Sequence, residues 1–287
     1  MIRTFFVFLT TLTAGLALAK EEPPPTLDQA ALERARRPIV LSVPGMERVV
    51  VHSDLTYTQT DDPLVRMDVY VPADLQADER RPIVMLVHGG VPVSLPVKDM
   101  GAYRSWGRLL AAQGMVAATF THRLRWPLRQ LQESAADVRA AIDFVRASAS
   151  KFNADPDRMC MAAYSAGGPL LTVALQDERP YVRCQLAIYP LVDVQGFGAA
   201  DEAKFALRTY VDRPSFPPLF LARAGRDAIP TLNARLDAFV GTAIAANAPI
   251  IIVNHPAGAH GFDVANDDER SREIIRAALE FMKAHLN

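Results

Sequence analysis

Hydrophobic and polar positions along the chain fall into alternating short and long patterns. "RVVVHSDLTY" (48–57) and "VRMDVYVP" (65–72) read as strands, the second with period-two alternation, and Asp61-Asp62-Pro63 between them is turn chemistry. "PIVMLVHGG" (82–90) is a continuous apolar run ending in glycines, as expected of a strand buried on both faces. "YRSWGRLLAAQG" (103–114) has helical spacing and stops at Gly114. Further strands are predicted over 115–124, 157–165, 182–190, 218–225 and 248–256. Helices are predicted over 27–37, 131–150, 166–176, 230–246 and 267–286, the last with acidic residues at its start.

Strands that alternate with helices build parallel βαβ units. The first two strands have no helix between them and predict an antiparallel hairpin. The expected fold class is therefore α/β: a mostly parallel, doubly wound, eight-stranded sheet with helices on both faces. One domain over residues 45–287 accommodates it.

The N-terminus follows a different pattern. "MIRTFFVFLTTLTAGLALAK" places Arg3 before a short apolar run that ends in Ala17-Leu18-Ala19. This is the layout of a signal peptide over residues 1–19, which predicts a secreted or periplasmic protein. The run is short for a membrane span. Residues 20–44, which include Pro23-Pro24-Pro25, are expected to act as a tether. The formal net charge of −1 gives no field that favours nucleic acid or, once the signal is cleaved, a membrane. Cys160 and Cys184 lie in apolar runs; two buried thiols are the expectation and a disulfide the alternative. No Cys/His cluster has metal-ligand spacing, and no cofactor is implied.

Candidate chemistry collects where chains of this class place it, beyond the carboxyl ends of the strands. His88-Gly89-Gly90 ends the third strand and Ser165 ends the fifth; Asp227 follows the seventh and His260 the eighth. This chain resembles an α/β-hydrolase, nearest the esterase and dienelactone-hydrolase-like branches, with nucleophile, acid and histidine in that family's order. The resemblance rests on "HGG", "AYSAG" and "GAHGFD" and covers nearly the whole chain after the signal. The family's usual elbow is G-x-S-x-G; here Ala163 replaces the first glycine.

The resemblance implies Ser165 as nucleophile, His260 as base and Asp227 as acid. His255 is the rival base and Asp193 the alternative acid. It also implies oxyanion donors at Ala166 and Gly90, with Gly89 and Val91 as neighbours that could serve instead. Tyr164 and Val91 are expected at the substrate, and His52 and His122 as structural or pocket-lining. The segment after Gly90, with Tyr103 and Trp106, could wall the acyl pocket or pack over the sheet edge. Residues 191–217 leave room for only a small cap, hence esters with short to medium acyl chains. The expected function is an exported serine hydrolase that cleaves small-molecule carboxylic esters through an acyl-enzyme. The alternatives are an acyltransferase or small peptidase on the same triad, or a non-catalytic binding protein with this fold.

Overall fold

The computed structural model describes residues 29–126 and 130–287. The predicted signal peptide lies outside the described residues.

Eight strands form one sheet: β1 (Val50–Leu55), β2 (Met67–Val71), β3 (Arg81–Val87), β4 (Val116–Phe120), β5 (Ala154–Tyr164), β6 (Val182–Ile188), β7 (Leu219–Ala224) and β8 (Ile250–His255). Their spatial order is β1-β2-β4-β3-β5-β6-β7-β8. β2 pairs antiparallel with β1, as the missing crossover helix predicts, and also with β4; every later pairing is parallel.

Side-chain alternation sorts the core into two layers. Ile83, Met85 and Val87 of β3 and Met159, Met161 and Ala163 of β5 face one layer. Val84 and Leu86 of β3 and Cys160, Ala162 and Tyr164 of β5 face the other. The first layer is covered by α3 (Leu131–Ala147), α4 (Thr172–Gln176) and α6 (Leu232–Ala245), whose Val138, Ile142, Leu236 and Phe239 are buried. The second is covered by α2 (Gly101–Ala112) and α8 (Glu269–Leu286). On α8 the buried set Ile274, Ile275, Ala278, Leu279, Met282 and Leu286 repeats at helical spacing. Asp268 caps this helix, its carboxylate accepting the Ser271 N–H at 2.8 Å.

Four sequence expectations change. The helix near the N-terminus forms as α1 (Gln29–Arg36), but the folded body begins before residue 45. Ile39 and Leu41 are buried in the second layer, the Ile39 N–H donates to Ser105 Oγ, and the Val40 N–H donates to the Asp263 carbonyl. The described end of the expected tether is thus a strap over α2. Cys160 and Cys184 are joined in a disulfide. β5 and β6 pair in a register that sets the two cysteines side by side, with 4.7 Å between their Cα atoms. The helix expected over 166–176 starts as a 3-10 turn, Ser165–Leu171, before α4, because Pro169 has no N–H to give. The last strand is not a buried run: β8 is the sheet edge, and Ile251 and Ile252 are exposed.

The insertion after β6 holds the six-residue helix α5 (Ala199–Lys204) and one 3-10 turn, Leu207–Thr209, the small cap expected there. Among the described residues no helix is long and apolar enough to cross a membrane.

Candidate active site

Ser165 leaves β5 with φ 52, a left-handed conformation that a non-glycine residue adopts at a cost of roughly 1–3 kcal/mol. The turn survives because its neighbours allow close approach. A Cβ on Gly167 would fall against the His88 carbonyl and 2.8 Å from the Val87 carbonyl, and one on Gly168 would fall against the Leu191 carbonyl. The Leu191 N–H closes the turn by donating to the Ser165 carbonyl at 2.9 Å. Ala163, where the elbow's usual glycine is missing, buries its methyl in the first core layer.

Three side chains from three strand ends converge. His260 Nε2 lies 2.8 Å from Ser165 Oγ, and His260 Nδ1 lies 2.6 Å from Asp227 Oδ2. The Asp227 side chain is fully buried, and its other oxygen accepts the Ile229 N–H at 2.9 Å. The aspartate thus draws the proton onto Nδ1 and leaves Nε2 free to accept from the serine.

The rivals are occupied elsewhere. His255 Nε2 sits 3.1 Å from both Asp268 Oδ1 and Ser271 Oγ, at the start of α8. Asp193 is held by two guanidinium groups, Arg208 at 3.1 Å and Arg235. Neither reaches the relay. His52 lies on β1 with its ring 5.2 Å from Phe152, away from the site.

The loop after β3 is set by two stacked imidazoles, His88 and His122, with centroids 3.5 Å apart and planes 3° from parallel. His88 Nε2 accepts the His122 N–H at 3.0 Å, so Nδ1 carries the proton and donates to the Gly89 carbonyl at 2.6 Å. That carbonyl shares a peptide plane with the Gly90 N–H, which must point the opposite way. No acceptor among the described residues takes the Gly90 N–H. A Cβ on Gly90 would lie 3.4 Å from that of Ala166, so the two oxyanion candidates are neighbours. Gly89, the alternative to Gly90, is already engaged: its N–H donates to the Tyr103 hydroxyl at 3.0 Å.

Burial pushes the His88 imidazole down to about 4 and His122 well below its ordinary value. Both therefore stay neutral in the folded chain while the unfolded chain takes up protons below about pH 6.5. The unfolded state binds more protons in that window, so stability falls as pH drops from about 6.5 toward 4. From His88 alone the loss is roughly 3 kcal/mol, a shift of about 2.5 pH units at 1.36 kcal/mol each. Thermal melts between pH 7 and pH 4.5 should show a steadily falling midpoint; a flat midpoint would contradict this assignment.

A cavity of about 640 Å³ opens beside the elbow. Gly90 and Ala166 border it, and Leu124, Trp126, Leu191 and Phe197 supply apolar wall. Asp193 and Arg235 stand in its lining as an ion pair. Tyr164 and Val91, expected at the substrate, are absent from this lining. Tyr164 is buried under the elbow, 5.5 Å from Tyr103 and 6.0 Å from Trp106. Val91 pairs with Arg125 in a two-residue ladder and turns its side chain into the second core layer. Tyr103 and Trp106 pack beneath the site and do not wall the pocket. A second cavity, of about 540 Å³, contains none of these groups; Val182 and Pro217 in its lining place it at the opposite ends of β6 and β7. Among the described residues no cluster of His, Cys, Asp or Glu could hold a metal.

Sequence reasoning missed Tyr189 and Asp263. Tyr189, at the end of β6 with φ 38, lays its ring 4.8 Å from that of His260. Asp263 accepts from the Tyr189 hydroxyl. The aspartate of "HGFD" was visible in the sequence, but nothing there paired it with residue 189.

A family model described as BD-FAE matches residues 67–181. An isoprenylcysteine alpha-carbonyl methylesterase of Arabidopsis thaliana is 29% identical over 122 residues, 41% of this chain and 26% of that protein. Esterase LipC of Mycobacterium tuberculosis is 27% identical over 263 residues, 77% of this chain and 62% of the relative. The chain thus spans about a quarter of the first relative's length and under two thirds of the second's. Among solved structures, esterase B of Lactobacillus rhamnosis superimposes with a TM-score of 0.68 at 19% identity, over 83% of this chain and 87% of that one. A thermophilic esterase of Thermogutta terrifontis gives 0.64 at 20% identity, over 83% and 93%. The superpositions, together with the mostly parallel eight-stranded sheet, show that the chain has the α/β-hydrolase fold.

Proposed function

We propose that this chain is a serine esterase that cleaves small carboxylic esters through an acyl-enzyme on Ser165. The observation that carries the reading is the unbroken relay Ser165 Oγ, His260, Asp227, with spacings of 2.8 Å and 2.6 Å. A serine hydroxyl is a weak nucleophile until a base stands at hydrogen-bond distance. In the proposed cycle His260 Nε2 takes the proton as Oγ attacks the ester carbonyl. The N–H groups of Ala166 and Gly90 receive the oxyanion. His260 then returns the proton to the leaving alcohol, and a water activated by the same imidazole hydrolyses the acyl-enzyme.

The small insertion after β6, with its six-residue helix α5, argues for short to medium acyl chains. The Thermogutta terrifontis esterase has been solved with propionate and with butyrate bound, which supports the same range here. The signal-like residues 1–19 support export, and a buried disulfide suits an oxidising compartment. Hydrolysis of p-nitrophenyl esters from acetate to decanoate tests the reading. Turnover should peak between butyrate and hexanoate and fall at least about tenfold by decanoate, the scale expected of a pocket that excludes extra methylenes. No turnover of any ester by the folded protein would defeat the reading.

A further inference from the structure

Asp263 is a fully buried carboxylate with no part in the cycle above. Its Oδ2 accepts the Trp106 indole N–H at 2.8 Å and its Oδ1 accepts the Tyr189 hydroxyl at 2.7 Å. Among the described residues no Lys or Arg pairs with it. A buried charge without a cation is costly, and in most folds it finds one.

The groups around it narrow the choice of partner. Tyr103 faces it from α2, Tyr164 from β5 and Tyr189 from the end of β6; all three are neutral, and burial pushes each hydroxyl up. Asp227 reaches the same imidazole from the end of β7. His255 lies beyond the Phe262 ring, 5.2 Å from it, and is paired with Asp268. His260 remains as the group that can become a cation within reach of Asp263. Its ring is braced by Tyr189, whose hydroxyl the carboxylate holds. Burial raises the Asp263 carboxyl, while Trp106, Tyr189 and His260 draw it back.

We propose that Asp263 is a positioning residue for the relay histidine: it pins Tyr189 against His260, and its carboxylate favours the protonated imidazole that forms while the serine attacks. The proposal rests on the esterase reading for its rate effect, though not for its electrostatics. The two carboxylates then divide the work. Asp227 fixes the tautomer by direct contact, and Asp263 acts on the charge from behind the Tyr189 ring.

Asp263→Asn keeps the shape, because the amide can accept from Trp106 and donate to Tyr189. The kcat/KM profile for p-nitrophenyl butyrate, measured from pH 5 to pH 9, should move its acid limb to lower pH by roughly one unit. kcat on the plateau should drop about threefold to tenfold with KM little changed. Tyr189→Phe, which retains the ring and cuts the link, should move the limb the same way by less. It also serves as the test if the asparagine variant does not fold. NMR titration of the His260 ring in the resting protein should show the same displacement without turnover. An acid limb and a His260 titration identical to wild type in both variants, whatever the rates, would overturn the proposal. Should wild type prove inactive, the esterase reading fails alone, and the NMR titration still decides the role of Asp263.

Discussion

Ser165→Ala removes ester turnover by roughly 10^5-fold or more while the protein remains folded. The size follows from what the hydroxyl supplies. Without Oγ no acyl-enzyme forms, and only the oxyanion amides and substrate binding remain, which leaves the small residual rate such sites retain over water. The fold tolerates the change because Ser165 is only half-buried and no core contact rests on its oxygen. Alanine must still adopt φ 52, so the strain of the turn persists and stability changes little. Initial rates on p-nitrophenyl butyrate, beside a thermal melt of the same preparation, check both halves. A variant that keeps more than a hundredth of wild-type kcat would show that the nucleophile lies elsewhere.

Asp227→Asn should lower kcat by about 10^3- to 10^4-fold, and Asp193→Asn by less than tenfold. The difference lies in one proton. Asp227 Oδ2 accepts from His260 Nδ1, which leaves Nε2 unprotonated toward Ser165. An asparagine amide can donate to Nδ1 and so shift the proton to Nε2. The imidazole then points a donor at the serine and cannot accept from it. Asp193 has no such link, since its oxygens are taken by Arg208 and Arg235. Equal losses in the two variants would mean that the acid is not decided by this geometry.

Much of the architecture was legible in the sequence because its physics is local. Buried parallel strands must be apolar on both faces, so "PIVMLVHGG" and "MCMAAY" announce themselves, and the order of turns after them fixes which residues reach one edge. What could not be read was set by register and packing across the sheet. Cys160 and Cys184 face each other only because β5 and β6 pair in that register. Tyr164 sits next to the nucleophile in sequence but alternates to the opposite face, under the elbow. Gly89 carries the same backbone donor as Gly90, and only the Tyr103 hydroxyl, fourteen residues on, removes it from contention. Ile39 and Leu41 follow a proline-rich stretch, and their burial depends on α2 and Asp263, which no nearby pattern reveals. Conversely, Asp227 over Asp193 and His260 over His255 are what the family resemblance implies, and in the structure only His260 reaches Ser165 and only Asp227 reaches His260.

The central claim is that Ser165 becomes covalently acylated, and a fluorophosphonate probe tests it most directly. The probe replaces the acyl group with a phosphonyl group that water does not readily remove. Wild-type protein should take up one probe per chain, and peptide mass mapping should place it on Ser165; Ser165→Ala should take up none. Folded wild-type protein that stays unlabelled, or that carries the probe on another residue, would contradict the account.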